Sequence, residues 1–115
     1  LWGRLTPITA NFTAGYTYTP HNNGTQSSGT LTPDPTLGNY QYVTNNGAFT
    51  LAAPSSDCAI DLLVTNGASA GAITFSGFTV GSNTGDPLVT TNTAKFLISI
   101  RRINGTSLYG ITACQ

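Results

Sequence analysis

Chemistry in a 115-residue chain has to come from its few reactive side chains, and here they are one histidine, two cysteines and four acidic residues, all of them Asp. Hydrolysis or transfer would need a nucleophile beside a base, a carboxylate pair, or a metal cluster within mutual reach. His21 stands alone in a polar stretch, and catalysis needs a rigid, supported site, so it reads as a solvated loop residue. Asp34 and Asp86 each precede a proline, an arrangement that starts turns, and Asp57 also neighbours a turn, where Asp bonds its own backbone. Asp61 differs because it falls inside an apolar run, Cys58 to Thr65. The expected role for it is an ion pair or hydrogen bond with Arg101 or Arg102, across a sheet or a subunit contact. Cys58 and Cys114 are expected either to form a disulfide, within or between chains, or to lie as small buried thiols.

No Cys-x-x-Cys, histidine cluster or phosphate-cradling glycine loop occurs. Zinc, redox and nucleotide chemistry therefore lack ligands, and no catalytic, cofactor-binding or metal-binding residue is assigned. With four Lys and Arg residues and a net charge of zero, the chain is too poor in cations for nucleic acid or an anionic membrane. No apolar run approaches the length of a membrane span, and the first residues lack the basic start and apolar centre of a signal peptide. A soluble protein is expected, and the opening Leu1 suggests a processed chain or a piece of a longer one. Sequons at Asn11, Asn23 and Asn104 are read as products of an Asn- and Thr-rich composition.

The elements that would position these residues are strands. Charged residues make up 7% of the chain, and Thr and Gly are abundant while Glu and Met are absent. That mix favours pleated strands and tight turns. The first 37 residues carry four of the six prolines and the polar run from His21 to Gly29, and they read as an extended N-terminal arm with an exposed loop. Residues 38–115 read as one domain of short strands. Tyr40 to Thr44 stops at Asn45-Asn46-Gly47, a hairpin signal. Cys58 to Thr65 places Ile60, Leu62 and Val64 on one face, and Lys95 to Ile103 places Phe96, Ile98 and Ile100 inward. Asn104-Gly105 turns the chain into the last strand. The expected fold is all-β: a single antiparallel β-sandwich or jelly-roll-like domain with the arm attached.

The run Gly38-Asn39-Tyr40-Gln41-Tyr42-Val43-Thr44, then Gly47-Ala48-Phe49-Thr50-Leu51 with Pro54, Ile60 to Thr65 with Gly67, Ala72 to Phe78, Leu88 to Thr91, the strand Lys95 to Ile103, and Asn104-Gly105 with Tyr109 resembles a β-rich module of tailed-bacteriophage virion proteins. The resemblance covers about two thirds of the chain and excludes the arm. It implies a non-enzymatic structural protein of the virion, of the decoration, collar or fibre type. Such a protein self-associates, with a trimer favoured, and docks to capsid or tail components. The arm could complete a neighbour's sheet by strand addition.

Two other classes fit the same composition. A carbohydrate-binding module would present aromatics to a host-surface glycan, with Trp2, Tyr16, Tyr18, Tyr40, Tyr42 and Tyr109 as candidates and their exposure as the discriminating observation. A pilus-type subunit would need an incomplete sandwich that a neighbour's arm completes.

Overall fold

The computed structural model describes residues 9–79 and 85–114. Eight strands occur among them: β1 (His21–Gln26), β2 (Thr30–Leu31), β3 (Tyr40–Asn45), β4 (Phe49–Ala52), β5 (Cys58–Asn66), β6 (Ile73–Ser76), β7 (Lys95–Ile103) and β8 (Thr106–Cys114). A single 3-10 turn at Pro35–Leu37 precedes β3, and the Asp34 carboxylate caps it by accepting from the Thr36 backbone N–H and hydroxyl. Among the described residues no helix is long and apolar enough to cross a membrane.

The strands form two sheets, one ordered β1-β3-β5-β7-β8 and the other β2-β4-β6. From β1 to β7 successive strands alternate between them. β1, β3 and β5 lie parallel in the first sheet, while β2, β4 and β6 lie parallel in the second. The chain thus winds three times, and Thr30 opposite Thr50 with Tyr40 opposite Asp61 shows that a circuit takes about 20 residues, the short end of the solenoid range. Only β5, β7 and β8 are antiparallel neighbours. The β7–β8 hairpin turns through Asn104 and Gly105, both at positive φ, as a two-residue turn of matching twist requires.

The expectation of an antiparallel fold is therefore corrected for the first six strands. Asn45-Asn46-Gly47 and Asn66-Gly67 do not reverse the chain within one sheet; each is a corner that carries it from the first sheet to the second. Glycine is required there because successive corners stack closely. A Cβ on Gly71 would run into the Ala48 backbone, and one on Gly47 into the backbone of Ser27. The polar run expected as a loop tip supplies β1, which holds its place by pairing with β3 rather than by burying apolar side chains.

The inward faces of the two sheets share one core, made of Val43 from β3, Phe49 and Leu51 from β4, Ile60, Leu62 and Val64 from β5, Phe96, Ile98 and Ile100 from β7, and Ile111 from β8. Alternation explains it, since every second side chain of a strand points to the same face. At about 1.5–3 kcal/mol for each fully buried large aliphatic side chain, this cluster is the main favourable contribution to folding.

Amide side chains continue the core at the corners. Gln26, Asn45 and Asn66 occupy equivalent positions in successive circuits. Asn45, 1% exposed, accepts from the backbone N–H groups of Gly47 (3.2 Å) and Gly71 (3.1 Å) and donates to the Gly71 carbonyl (2.8 Å). Asn66 donates to the carbonyls of Val89 (2.8 Å) and Thr91 (3.0 Å). A corner interrupts the strand ladder and strands backbone groups, and these amides replace the missing partners.

The two ends of the winding differ. Among the described residues β1 and β2 have a pairing neighbour on one side only. At the opposite end of the first sheet, the outer edge of β8 is engaged. Thr79 N–H donates to Ser107 O (2.8 Å), Asp86 N–H donates to Ile111 O (2.9 Å), and the Asp86 carboxylate accepts from Ala113 N–H (2.8 Å).

Candidate functional site

The outward face of the five-stranded sheet gathers the most unusual side chains. Residues on β3 and β5 that do not enter the core, Tyr40 and Tyr42 with Asp61 and Leu63, point to this face because they alternate with core positions. Parallel register sets Tyr40 opposite Asp61 and Tyr42 opposite Leu63. Residues 9–20 form no strand, yet Tyr18 stacks on Tyr40 with ring centroids 4.1 Å apart and planes 18° from parallel. Tyr16 reaches the same ring by a hydroxyl–hydroxyl hydrogen bond of 2.9 Å to Tyr40. That bond, followed by the unfavourable approach of a second phenolate at Tyr16, pushes the Tyr40 phenol above its usual range. Phe12 extends the row, with its ring 6.0 Å from that of Tyr16.

The aromatics remain open. Tyr16 is 62% exposed, Tyr18 55% and Tyr42 38%. Two hollows flank Tyr40 and share it and Asp61 as lining residues. One, of about 330 Å³, is bounded by Tyr16, Asn39, Ala59 and Arg101, and the other, of about 380 Å³, by Tyr18, Tyr42, Leu63 and Leu97.

Asp61 sits where the two hollows meet. Its Oδ1 lies 3.6 Å from Arg101 Nη1, too long for a hydrogen bond. That nitrogen donates to the Ile100 carbonyl at 3.1 Å. Asp61 Oδ1 is itself out of contact with solvent and has no hydrogen-bond partner among the described residues. A buried oxygen without a donor costs about 1–3 kcal/mol. The pair as a whole is half-exposed, and a surface pair of this kind adds about 0–1 kcal/mol.

The other residues singled out from sequence fall elsewhere. Arg102 does not join Asp61; it lies 3.6 Å from Asp57, whose carboxylate accepts from the N–H groups of Asn104 and Gly105 and so braces the β7–β8 turn. Both ion pairs are formed within one chain. Tyr109 is not a surface aromatic: it stacks on Phe75 at 4.0 Å, meets Phe78 edge-on at 4.9 Å and packs against the core. Burial raises its phenol above the usual value. Trp2 lies outside the described residues.

The cysteines are free, Cys58 half-buried and Cys114 exposed. Cys58 faces Arg102 at one end of β7 and Cys114 faces Lys95 at the other, a separation of about 23 Å of strand. A disulfide spans less than about 7 Å between Cα atoms, so a bond within one chain is excluded. His21 opens β1 opposite Gln41, which donates to the Asp34 carbonyl at 2.9 Å, so His21 is a near neighbour of the Asp34 turn. Among the described residues no group of three or more His, Cys, Asp or Glu is placed to hold a metal.

Two contributors were not singled out from sequence. Asn39, just before β3, donates to the Ala59 carbonyl at 2.8 Å and lines the first hollow. Leu97 floors the second. The outward alternation of Leu97 and Ser99 was the available signal, but strand pattern alone does not say which outward positions adjoin. Comparison of the chain with protein-family models, characterised proteins and solved structures finds no match.

Proposed function

We propose that the chain is a non-enzymatic structural module of a bacteriophage particle that acts by self-association and by docking to other virion proteins. The observation that carries the self-association is the outer edge of β1 and β2, unpaired among the described residues, set against the occupied outer edge of β8. An unpaired strand edge is a row of donors and acceptors ready for another chain, and natural proteins blunt such edges when they are not used. The register of β1 shifts between Asn22 and Thr25, but its side chains give no charge protection. Its sequence, His-Asn-Asn-Gly-Thr-Gln, carries no Lys, Pro or acidic residue. A second copy would add its own strand there. The virion placement rests on the resemblance of the strand-and-turn series from Gly38 onward, and on a composition poor in the charge and reactive groups that other classes need.

Light scattering coupled to size exclusion tests the reading. The wild-type chain should run as an oligomer, with a trimer as the state the resemblance implies. Thr25→Lys combined with Thr30→Lys puts edge lysines on two exposed positions of β1 and β2, and should give a folded monomer. A wild-type chain that stays monomeric at about 100 μM, a concentration at which a micromolar contact is nearly saturated, would sink the proposal.

A further inference from the structure

Neither the winding nor the β1 edge needs the row of tyrosines on the outward face of the first sheet. Large aromatics left 38–62% exposed on one continuous face are a recurrent mark of a binding surface. The Tyr18–Tyr40 stack and the Tyr16–Tyr40 hydrogen bond fix three of the rings in place, and Tyr16 and Tyr18 stay more than half exposed. Preorganised rings lose little freedom when something lands on them.

The polar groups narrow the class of ligand. The Asp61 side chain is 32% exposed and lines both hollows, so a ligand carrying O–H or N–H groups finds an acceptor there. Arg101 already balances the Asp61 charge, so the ligand need not carry a charge of its own. The strands beneath are β3, β5 and β7, each paired on both sides. A peptide seeking backbone partners finds none free on this face, and belongs at a sheet edge instead. The two hollows, about 330 and 380 Å³, meet at Tyr40 and Asp61 and together offer room beyond a single small ring. A molecule that combines flat apolar C–H faces with neutral hydroxyl donors, repeated along its length, meets all of these conditions.

We infer that this cleft binds a neutral oligosaccharide, its ring faces lying on the exposed Tyr18 and Tyr42 beside Tyr40 and one of its hydroxyls donating to the solvent-facing part of the Asp61 carboxylate. Asn39 and Arg101 border the same hydroxyl-bearing side. The face is separate from the β1 edge, so the inference stands or falls independently of self-association.

Titration of the ¹⁵N-labelled chain with maltotriose, cellotriose and a β-galactotriose, each to about 20 mM, reads sites down to millimolar affinity. At least one sugar should give saturable shifts centred on the amides of residues 39–42 and 59–63. Asp61→Asn should weaken that binding roughly tenfold, the loss of about one good polar contact. Tyr42→Ala should weaken it to a similar extent, and Tyr18→Ala serves the same purpose should Tyr42→Ala lose its dispersed spectrum. Leu37→Ala, on an exposed position outside the cleft, should bind as wild type. Absence of saturable shifts with all three sugars, shifts centred elsewhere, or binding unchanged in Asp61→Asn and the tyrosine variant would each overturn the inference.

Discussion

Asn45→Ala is the substitution from which most can be learned about what holds the winding together. The side chain is 1% exposed and serves three backbone groups, Gly47 N–H, Gly71 N–H and Gly71 C=O. Removing it leaves all three without their partner. An orphaned buried group costs about 1–3 kcal/mol, and because these sites are only partly buried the lower figure applies, giving a loss of about 3 kcal/mol. Relaxation offers little relief, since Gly71 is already packed against the Ala48 backbone. Against a total of about 5–15 kcal/mol for a domain, that is a large share. At about 4–8 °C per kcal/mol for a domain of this size, thermal unfolding by circular dichroism should move down by about 12–24 °C. Thr44→Ala, at the neighbouring outward position, should move it by a few degrees at most. Asn45→Asp separates hydrogen bonding from packing, because it keeps the volume and both accepted bonds but cannot donate to Gly71 O while ionised. An Asn45→Ala melting point within about 4 °C of wild type, less than 1 kcal/mol on the same scale, would refute the view that the corner amides hold the circuits together.

Two further outcomes follow from the site and the thiols. Tyr40 is raised above its ordinary value of 10.0 mainly by its hydrogen bond to Tyr16. For a phenol whose proton is held more tightly in the folded state, the contribution to stability is complete below the unfolded value and disappears as pH rises through the higher folded one. The segment around Tyr16 should therefore stay docked at neutral pH and loosen only above about pH 10. Ultraviolet titration should show Tyr40 ionising earlier in Tyr16→Phe, and an unchanged titration would contradict the assignment. For the cysteines, burial holds the Cys58 thiol above its usual range while Cys114 is exposed. Oxidation should give dimers between chains through Cys114, visible on non-reducing electrophoresis and absent in Cys114→Ser. A faster-running monomer band, marking a bond within the chain, would contradict the register of β7.

What could be read from the residues was the identity of the strands and the facing of their side chains. Ile60, Leu62 and Val64, and Phe96, Ile98 and Ile100, recur at every second position of their strands and are the buried positions. Pairing sense was not readable from alternation, because parallel and antiparallel strands share it. Asn45-Asn46-Gly47 satisfies the steric needs of a hairpin turn and of a corner between sheets equally well. The distinguishing signal was the repeat of Val43-Thr44-Asn45 in Val64-Thr65-Asn66, each followed by a Gly-Ala pair, because a period of about 20 residues marks a winding chain. β1 escaped notice for another reason. With His21, Asn23 and Gln26 on its half-buried face in place of apolar residues, it has no periodic signature, and its order comes from the backbone of β3.

The same gap limited the reading of the cleft. Tyr16 and Tyr18, and Tyr40 and Tyr42, each share a face by their spacing of two. That Tyr18 lands on Tyr40, and that Tyr40 lies opposite Asp61, depends on parallel register between segments some twenty residues apart. Asp61 was recognised as out of place in an apolar strand, but its unsatisfied oxygen is a product of geometry: Arg101 sits diagonal to it, opposite Ala59, and cannot close to bonding distance.

The unlike termini of the winding bear on how large any assembly can grow. Fibres elongate when every added unit offers a fresh acceptor at its far side. Here Thr79, Gly85 and Asp86 engage the outer strand at one terminus of the first sheet, so under the proposed self-association a copy that joins through β1 would bring no new adhesive strand with it. Joining of that kind would consume valence instead of propagating it, and the product expected of the proposal is a closed cluster rather than a growing filament.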